Sequence, residues 1–175
     1  MLKAICSKKD LSETQYFEYI KDIVNAKELE NLKLITHHIS TTRFQHCLNV
    51  SYHNYVICKF LRLDAKSAAR AGLLHDLFYY DRKEYNKQKK FCSHSRFHSL
   101  LALKNALKLT KINEIERDII ENHMFPSTLK LPKSKEGYVI VIVDKYCAVL
   151  EVLLPKLQKL FSHKISIPDT ASMGK

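Results

Sequence analysis

Apolar side chains recur along this chain at intervals of three and four residues, the spacing of one face of an α-helix. Residues 11–25 place Leu11, Tyr16, Tyr19, Ile20, Ile23 and Val24 in that rhythm, with Ser12 and Gln15 in capping-box register, and predict a first helix. A weaker segment covers 28–34. From 41 to 61, Phe44, Cys47, Leu48, Ser51, Tyr55 and Cys58 share one face. Asp64 reads as the N-cap of an alanine- and leucine-rich helix over 65–79. After a charged connection over 80–91, a further helix starts at Ser93, and Asn113 caps another that carries acidic residues in its first turn. A loop with Pro126 and Pro132 leads to the last apolar segment, 136–160. Its β-branched run 139–143 would also suit a buried strand. The segment stays apolar for more than twenty residues and has no strand to pair with, so a helix is predicted, kinked or interrupted at Pro155. The fold class expected is all-α, a single compact helical bundle: N-terminal helices in 1–40 packing on a core domain of 41–161, and a loosely ordered tail, 162–175.

Composition narrows the setting. At 175 residues the chain is one ordinary domain with a single core. Its five cysteines are odd in number, show no C-x-x-C spacing and mostly lie in apolar stretches, as reduced core-filling thiols do. That pattern, and an N-terminus with too short an apolar run for a signal peptide, predicts a cytoplasmic protein. No run of apolar residues is long enough to span a membrane. The formal charge of +11 raises the possibility of nucleic-acid binding. The charge is scattered, however, without an arginine-rich arm, an aromatic box or Cys/His finger spacing, so a nucleic-acid partner ranks below a solvated lysine-rich surface. The same basic field would attract a phosphorylated small molecule.

The candidate chemistry lies in polar groups embedded in the apolar helices: His46, His75, Asp76, His98, His123 and Asp144. A lone histidine on an apolar face is usually a hydrogen-bonded core residue, but this many imidazoles and carboxylates in separate helices are costly to bury singly. Convergence on a divalent cation would satisfy several together. The stretches carrying them read TTRFQHCLNVS, LLHDLFYYD, SHSRFHSLLALKNAL, IIENHMFPST and VIVDKYCAVLEV. In order and type they resemble the HD superfamily of metal-dependent phosphohydrolases, over residues 43–151, and look closest to a bacterial subgroup with HD…YD…HM-aromatic-P…DKYC motifs.

The resemblance implies that His46, His75, Asp76 and Asp144 hold one metal, and that in two-metal members Asp76 also serves a second ion bound by His98 and His123. One or two divalent transition-metal ions are expected, iron or manganese from the two-metal relatives, with zinc, nickel and cobalt also compatible with a mixed nitrogen and oxygen ligand set. The implied reaction is attack of metal-activated hydroxide on a phosphate ester of a nucleotide or another small phosphorylated molecule. Asp76, Arg43 and His94 are the catalytic candidates. Arg43, His94, Arg96 and Lys145 are candidates for contacting substrate. For His94, one turn before His98, a substrate contact or support of a ligand is favoured over ligation. Serine stands at position 99, where the family often has proline, and leaves the start of that helix open. Asp81 reads as orienting a ligand or capping a turn, Tyr79 and Tyr80 as packing, and Phe125 as a loop anchor or a residue of the pocket mouth. His37, His38, His53 and His163 match no motif and are assigned to surface or ordinary core. Two other readings are a catalytically silent metal- and nucleotide-binding regulator on the same fold and a nucleic-acid-binding protein. Neither the oligomeric state nor the substrate is encoded in a recognisable pattern.

Overall fold

Capping chemistry written into the sequence sets the start of each long helix. The computed structural model describes residues 1–7, 10–37, 41–80, 85 and 93–164. Its helices are α1 (Gln15–Ile20), α2 (Lys27–Glu30), α3 (Arg43–Phe60), α4 (Ala65–Leu74), α5 (His94–Leu109), α6 (Glu114–Asn122) and α7 (Lys135–Lys164). Thr42 accepts from the Gln45 amide to start α3, Asp64 from Ser67 to start α4, and Ser93 from Arg96 to start α5. Asn113 and Glu116 form a reciprocal capping box at α6.

Four expectations change, one of them the length of α4, which stops at Leu74 short of 79, with the His75 side chain taking the Gly72 carbonyl at its end. The first predicted helix is broken: Leu11–Glu13 is a 3-10 turn, Thr14 is extended, and only then does α1 begin. The capping box expected of Ser12 and Gln15 is absent, because Asp10 accepts from Ser12 instead and also takes the Leu2 amide. Between α2 and α3 lies a small antiparallel pair, β1 (Thr36–His37) and β2 (Thr41–Thr42), with Thr36 opposite Thr42. Strands of two residues are too short to show periodicity. Finally, α7 runs through Pro155 and on to Lys164, past the point where the tail was expected. The 139–143 run is helical, as the length argument predicted.

The α3–α4 seam organises the core. Ser51 donates to the Ala69 carbonyl (2.6 Å), Tyr16 donates to the Ser51 hydroxyl (2.8 Å), and Asn54 donates to the Ala68 carbonyl (3.1 Å). Gly72 permits this approach: a Cβ there would lie 2.7 Å from the Ser51 Cα. Gly72→Ala is therefore expected to destabilise the fold by about 1–3 kcal/mol through overpacking, measurable by urea denaturation. Leu11, Tyr16, Ile20, Ile23, Leu29 and Leu32 from the N-terminal part share one buried cluster with Leu48, Leu73, Ile119 and Val143. Cys47, Cys58 and Cys147 are buried free thiols and Cys6 is exposed, while Cys92 lies outside the described residues. Among the described residues no helix is long and apolar enough to cross a membrane.

Asp118 fixes the loop that leads into α7. Its carboxylate accepts from the Lys133 and Ser134 amides, the Ser134 hydroxyl (2.6 Å) and the Asn122 side-chain amide (2.8 Å). Burial opposes ionisation, but these donors outweigh it and hold the carboxyl below its ordinary value. A depressed folded-state pKa contributes stability above the unfolded pKa of about 3.9 and loses it as pH falls through the folded value. Asp118→Asn should cost about 1–3 kcal/mol at pH 7. The gap to wild type should narrow below about pH 4, as the native carboxylate protonates; stability curves at stepped pH check this.

Candidate metal centre

Two helices end at the site, and their ends orient the ligands. His75 follows the last residue of α4 and His123 the last residue of α6, where backbone carbonyls lack partners within the helix. Each imidazole turns its Nδ1 to one of them, His75 to Gly72 (2.8 Å) and His123 to Ile120 (2.9 Å). In α5, His98 uses Nδ1 on the His94 carbonyl (2.9 Å). His46, in the second turn of α3, has both oxygens of the buried Glu151 of α7 on its Nδ1 (3.2 and 3.1 Å), and Asn49 donates to the same carboxylate (2.7 Å). With every Nδ1 engaged, all four rings present Nε2 to one space, as ring-anchored metal ligands do. The negative ends of the α4 and α6 dipoles face the same space and favour a cation there.

Two carboxylates meet these nitrogens. Asp144 Oδ1 lies 3.0 Å from His46 Nε2 and 3.7 Å from His75 Nε2. Asp76 Oδ1 lies 3.4 Å from His98 Nε2 and 3.7 Å from His123 Nε2, and its Oδ2 lies 3.9 Å from His75 Nε2. Asp76 thus stands between two groups of donors, His46, His75 and Asp144 on one side, His98 and His123 on the other. His98 and His123 bring their Nε2 atoms within 3.0 Å of each other. With both Nδ1 atoms donating to carbonyls, neutral rings would set lone pair against lone pair, an arrangement relieved by a cation. The Nε2 of His75 and the Oδ1 of Asp76 are buried without a hydrogen-bond partner. Orphaned atoms of this kind, aimed among other donors, fit a bound divalent ion.

The charges point the same way. Burial opposes ionisation of both aspartates, yet His75, His98 and His123 around Asp76, and His46 and His75 around Asp144, hold them well below the usual carboxylate range. Burial also works against a charged His46, but Asp144 and Glu151 push it up to about 10. His75 is raised as well, by Asp76 and Asp144 against its burial. For His123, burial and its neighbours His75 and His98 prevail and bring it down to about 3. The anionic pair therefore demands positive charge, and a divalent ion would displace the protons that otherwise supply it.

The family model described as HD domain matches residues 43–149, well over half of the chain and the whole span from α3 into α7 that carries these ligands. The chain belongs to the HD domain family. The family is a superfamily of metal-dependent phosphohydrolases, which accords with the His/Asp cluster. No curated protein and no solved structure shows a significant match.

The HD domain brings its six expected ligands together, and treats the other candidates differently. His94 lines the cavity over the centre, a space of about 280 Å³. Arg43 lines it too, but its guanidinium lies 3.7 Å from the Phe78 ring centroid and donates to the carbonyls of Phe78 (2.6 Å) and Tyr80. It thereby pins the turn after Asp76. Lys145 donates to the Phe125 and Val141 carbonyls and does not line this cavity. Arg96 lines a separate one. Met124, not Phe125, reaches the cavity, Tyr79 is largely exposed, and Tyr80 stacks with Tyr85. Asp81 and His38 lie outside the described residues. His53 donates to the Ile5 carbonyl. His37 corrects the earlier assignment: from β1 its ring comes within 4.3 Å of the His46 ring, and it groups with His46 and Asp76 as possible metal ligands. Glu151 was likewise not singled out as a site residue. Glu151→Gln removes the charge behind His46 and is expected to weaken metal binding about 10- to 100-fold in a metal titration.

Proposed function

We propose that this HD domain is a metal-dependent phosphohydrolase that cleaves a phosphate ester of a nucleotide or another small phosphorylated molecule. The observation that carries the reading is Asp76, orphaned at Oδ1 and placed between two sets of inward-facing donors. His46, His75, Asp144 and Asp76 would hold one ion, and His98 and His123 would hold a second that shares Asp76. When bound, such ions supply positive charge to a phosphoryl oxygen and lower the pKa of water toward 7. Iron or manganese is the expected metal, with zinc, nickel and cobalt compatible with the donor set.

The chain's own residues do the rest. His94 lines the cavity one turn before His98 and would contact the phosphoryl group or its leaving oxygen. His37, on the hairpin side of the same cavity, adds a second imidazole at its wall. Arg43 acts by holding the 78–80 backbone that follows His75 and Asp76. The test is hydrolysis of a generic aryl phosphate by protein loaded in turn with manganese, iron, zinc, nickel and cobalt, alongside elemental analysis. Turnover that follows metal content supports the reading. Stoichiometric metal without turnover on a broad phosphate-ester panel would favour the regulatory reading instead.

A further inference from the structure

On the other side of the 122–124 turn from the metal centre, the first turns of α5, the end of α6 and the 127–130 loop enclose a second cavity of about 360 Å³, in the size range of small-molecule pockets. Two of the residues that line it carry a polar atom with no hydrogen-bond partner. Asn122 is 1 % exposed, and its orientation is set: Nδ2 donates to the Asp118 carboxylate, which can only accept. That leaves Oδ1, buried and unpartnered, on the opposite edge of the amide. The Thr128 hydroxyl is the second orphan. Lys130 is neutralised by Glu121, whereas no carboxylate pairs with Arg96 among the described residues. Leu100 and Leu129, 43 % and 93 % exposed, supply apolar walls.

We infer that this cavity is a binding site for a planar heterocycle of the nucleobase type. Asn122 Oδ1 requires a ligand donor, Arg96 requires a ligand acceptor, and the Thr128 hydroxyl serves either. Each common nucleobase carries an N–H donor beside a carbonyl or ring-nitrogen acceptor on one edge, and its faces suit leucine side chains. A simple phosphate or carboxylate would satisfy Arg96 but could offer Asn122 a donor only when protonated. The inference is independent of turnover at the metal centre, because the groups it uses are not metal ligands.

The test is direct binding of adenosine, guanosine, cytidine and uridine to the full chain, with and without manganese, by calorimetry and ligand-observed NMR. At least one nucleoside should bind saturably. Thr128→Val, which keeps shape and removes the hydroxyl, and Arg96→Gln should each weaken it about tenfold, about 1.4 kcal/mol, with metal content unchanged. Saturable binding unaltered in both variants would overturn the assignment, as would no binding of any nucleoside, which would leave the orphan oxygens to ordered water. Binding of inorganic phosphate or ribose 5-phosphate through Arg96, with none of the nucleosides, would overturn it in favour of an anion site.

Discussion

Asp76→Ala is expected to leave the protein without bound transition metal and without phosphohydrolase activity. Among the described residues Asp76 is the one carboxylate close to His75, His98 and His123 at once, with its Oδ1 3.4 Å from the His98 Nε2. Removing it takes a ligand from each side of the centre and leaves several inward Nε2 atoms with no anion between them. Each position then keeps fewer ligands and less negative charge to hold a divalent ion, so affinity should fall at both. A metal contribution of several kcal/mol to the transition state corresponds to at least about 10³ in rate. Elemental analysis of wild type and variant, purified and reconstituted side by side, gives the answer before any substrate is known. Circular dichroism must show the variant folded. Retained stoichiometric metal would mean that the ion sits elsewhere, and no metal in the wild type after reconstitution would make these histidines structural.

The six residues that meet at the site stand out in the sequence because each is a polar group in or at the end of an apolar stretch, where burial is expensive unless something compensates it; their allocation as metal ligands is what the resemblance to the HD superfamily implies. His46 and Asp144 share no local motif, yet each stands out against its own helix, and Asp76 follows His75 just past the end of α4. The helix starts were legible for a similar reason: Asp64, Ser93 and Asn113 are side chains that compete for backbone donors and so announce caps. His37 was not legible. It lies on a two-residue strand, where no periodicity marks a face, and only the turn of the hairpin carries it to His46. Arg43 reads in the sequence as an anion receptor; its hold on the carbonyls of Phe78 and Tyr80 is a tertiary contact that no sequence pattern announces. The second cavity depends on which edge of Asn122 faces Asp118, a tertiary fact that no sequence pattern encodes. The first helix failed on competition, since Asp10 captured the Ser12 amide and Thr14 stayed extended.

His98→Ala separates the two sides of the centre, and its expected result is a halved metal content rather than a lost one. His46, His75 and Asp144 keep their mutual contacts in the variant, and Glu151 still orients His46. Their position should therefore fill. On the other side only His123 and one Asp76 oxygen remain, too few to retain an ion against water with ordinary affinity. Metal per chain should drop from about two to about one, and a two-ion in-line displacement should lose most of its rate. The variant also removes the 3.0 Å approach of His98 to His123, so the His123 ring loses one neighbour that discourages its protonation. Its pKa should rise, which a pH titration followed by histidine NMR would detect in the metal-free protein. If the His98→Ala protein instead binds as much metal as wild type and turns over equally, the centre works with a single ion and the His98–His123 pair serves another purpose. Loss of all metal would mean that the two positions fill only together, through Asp76.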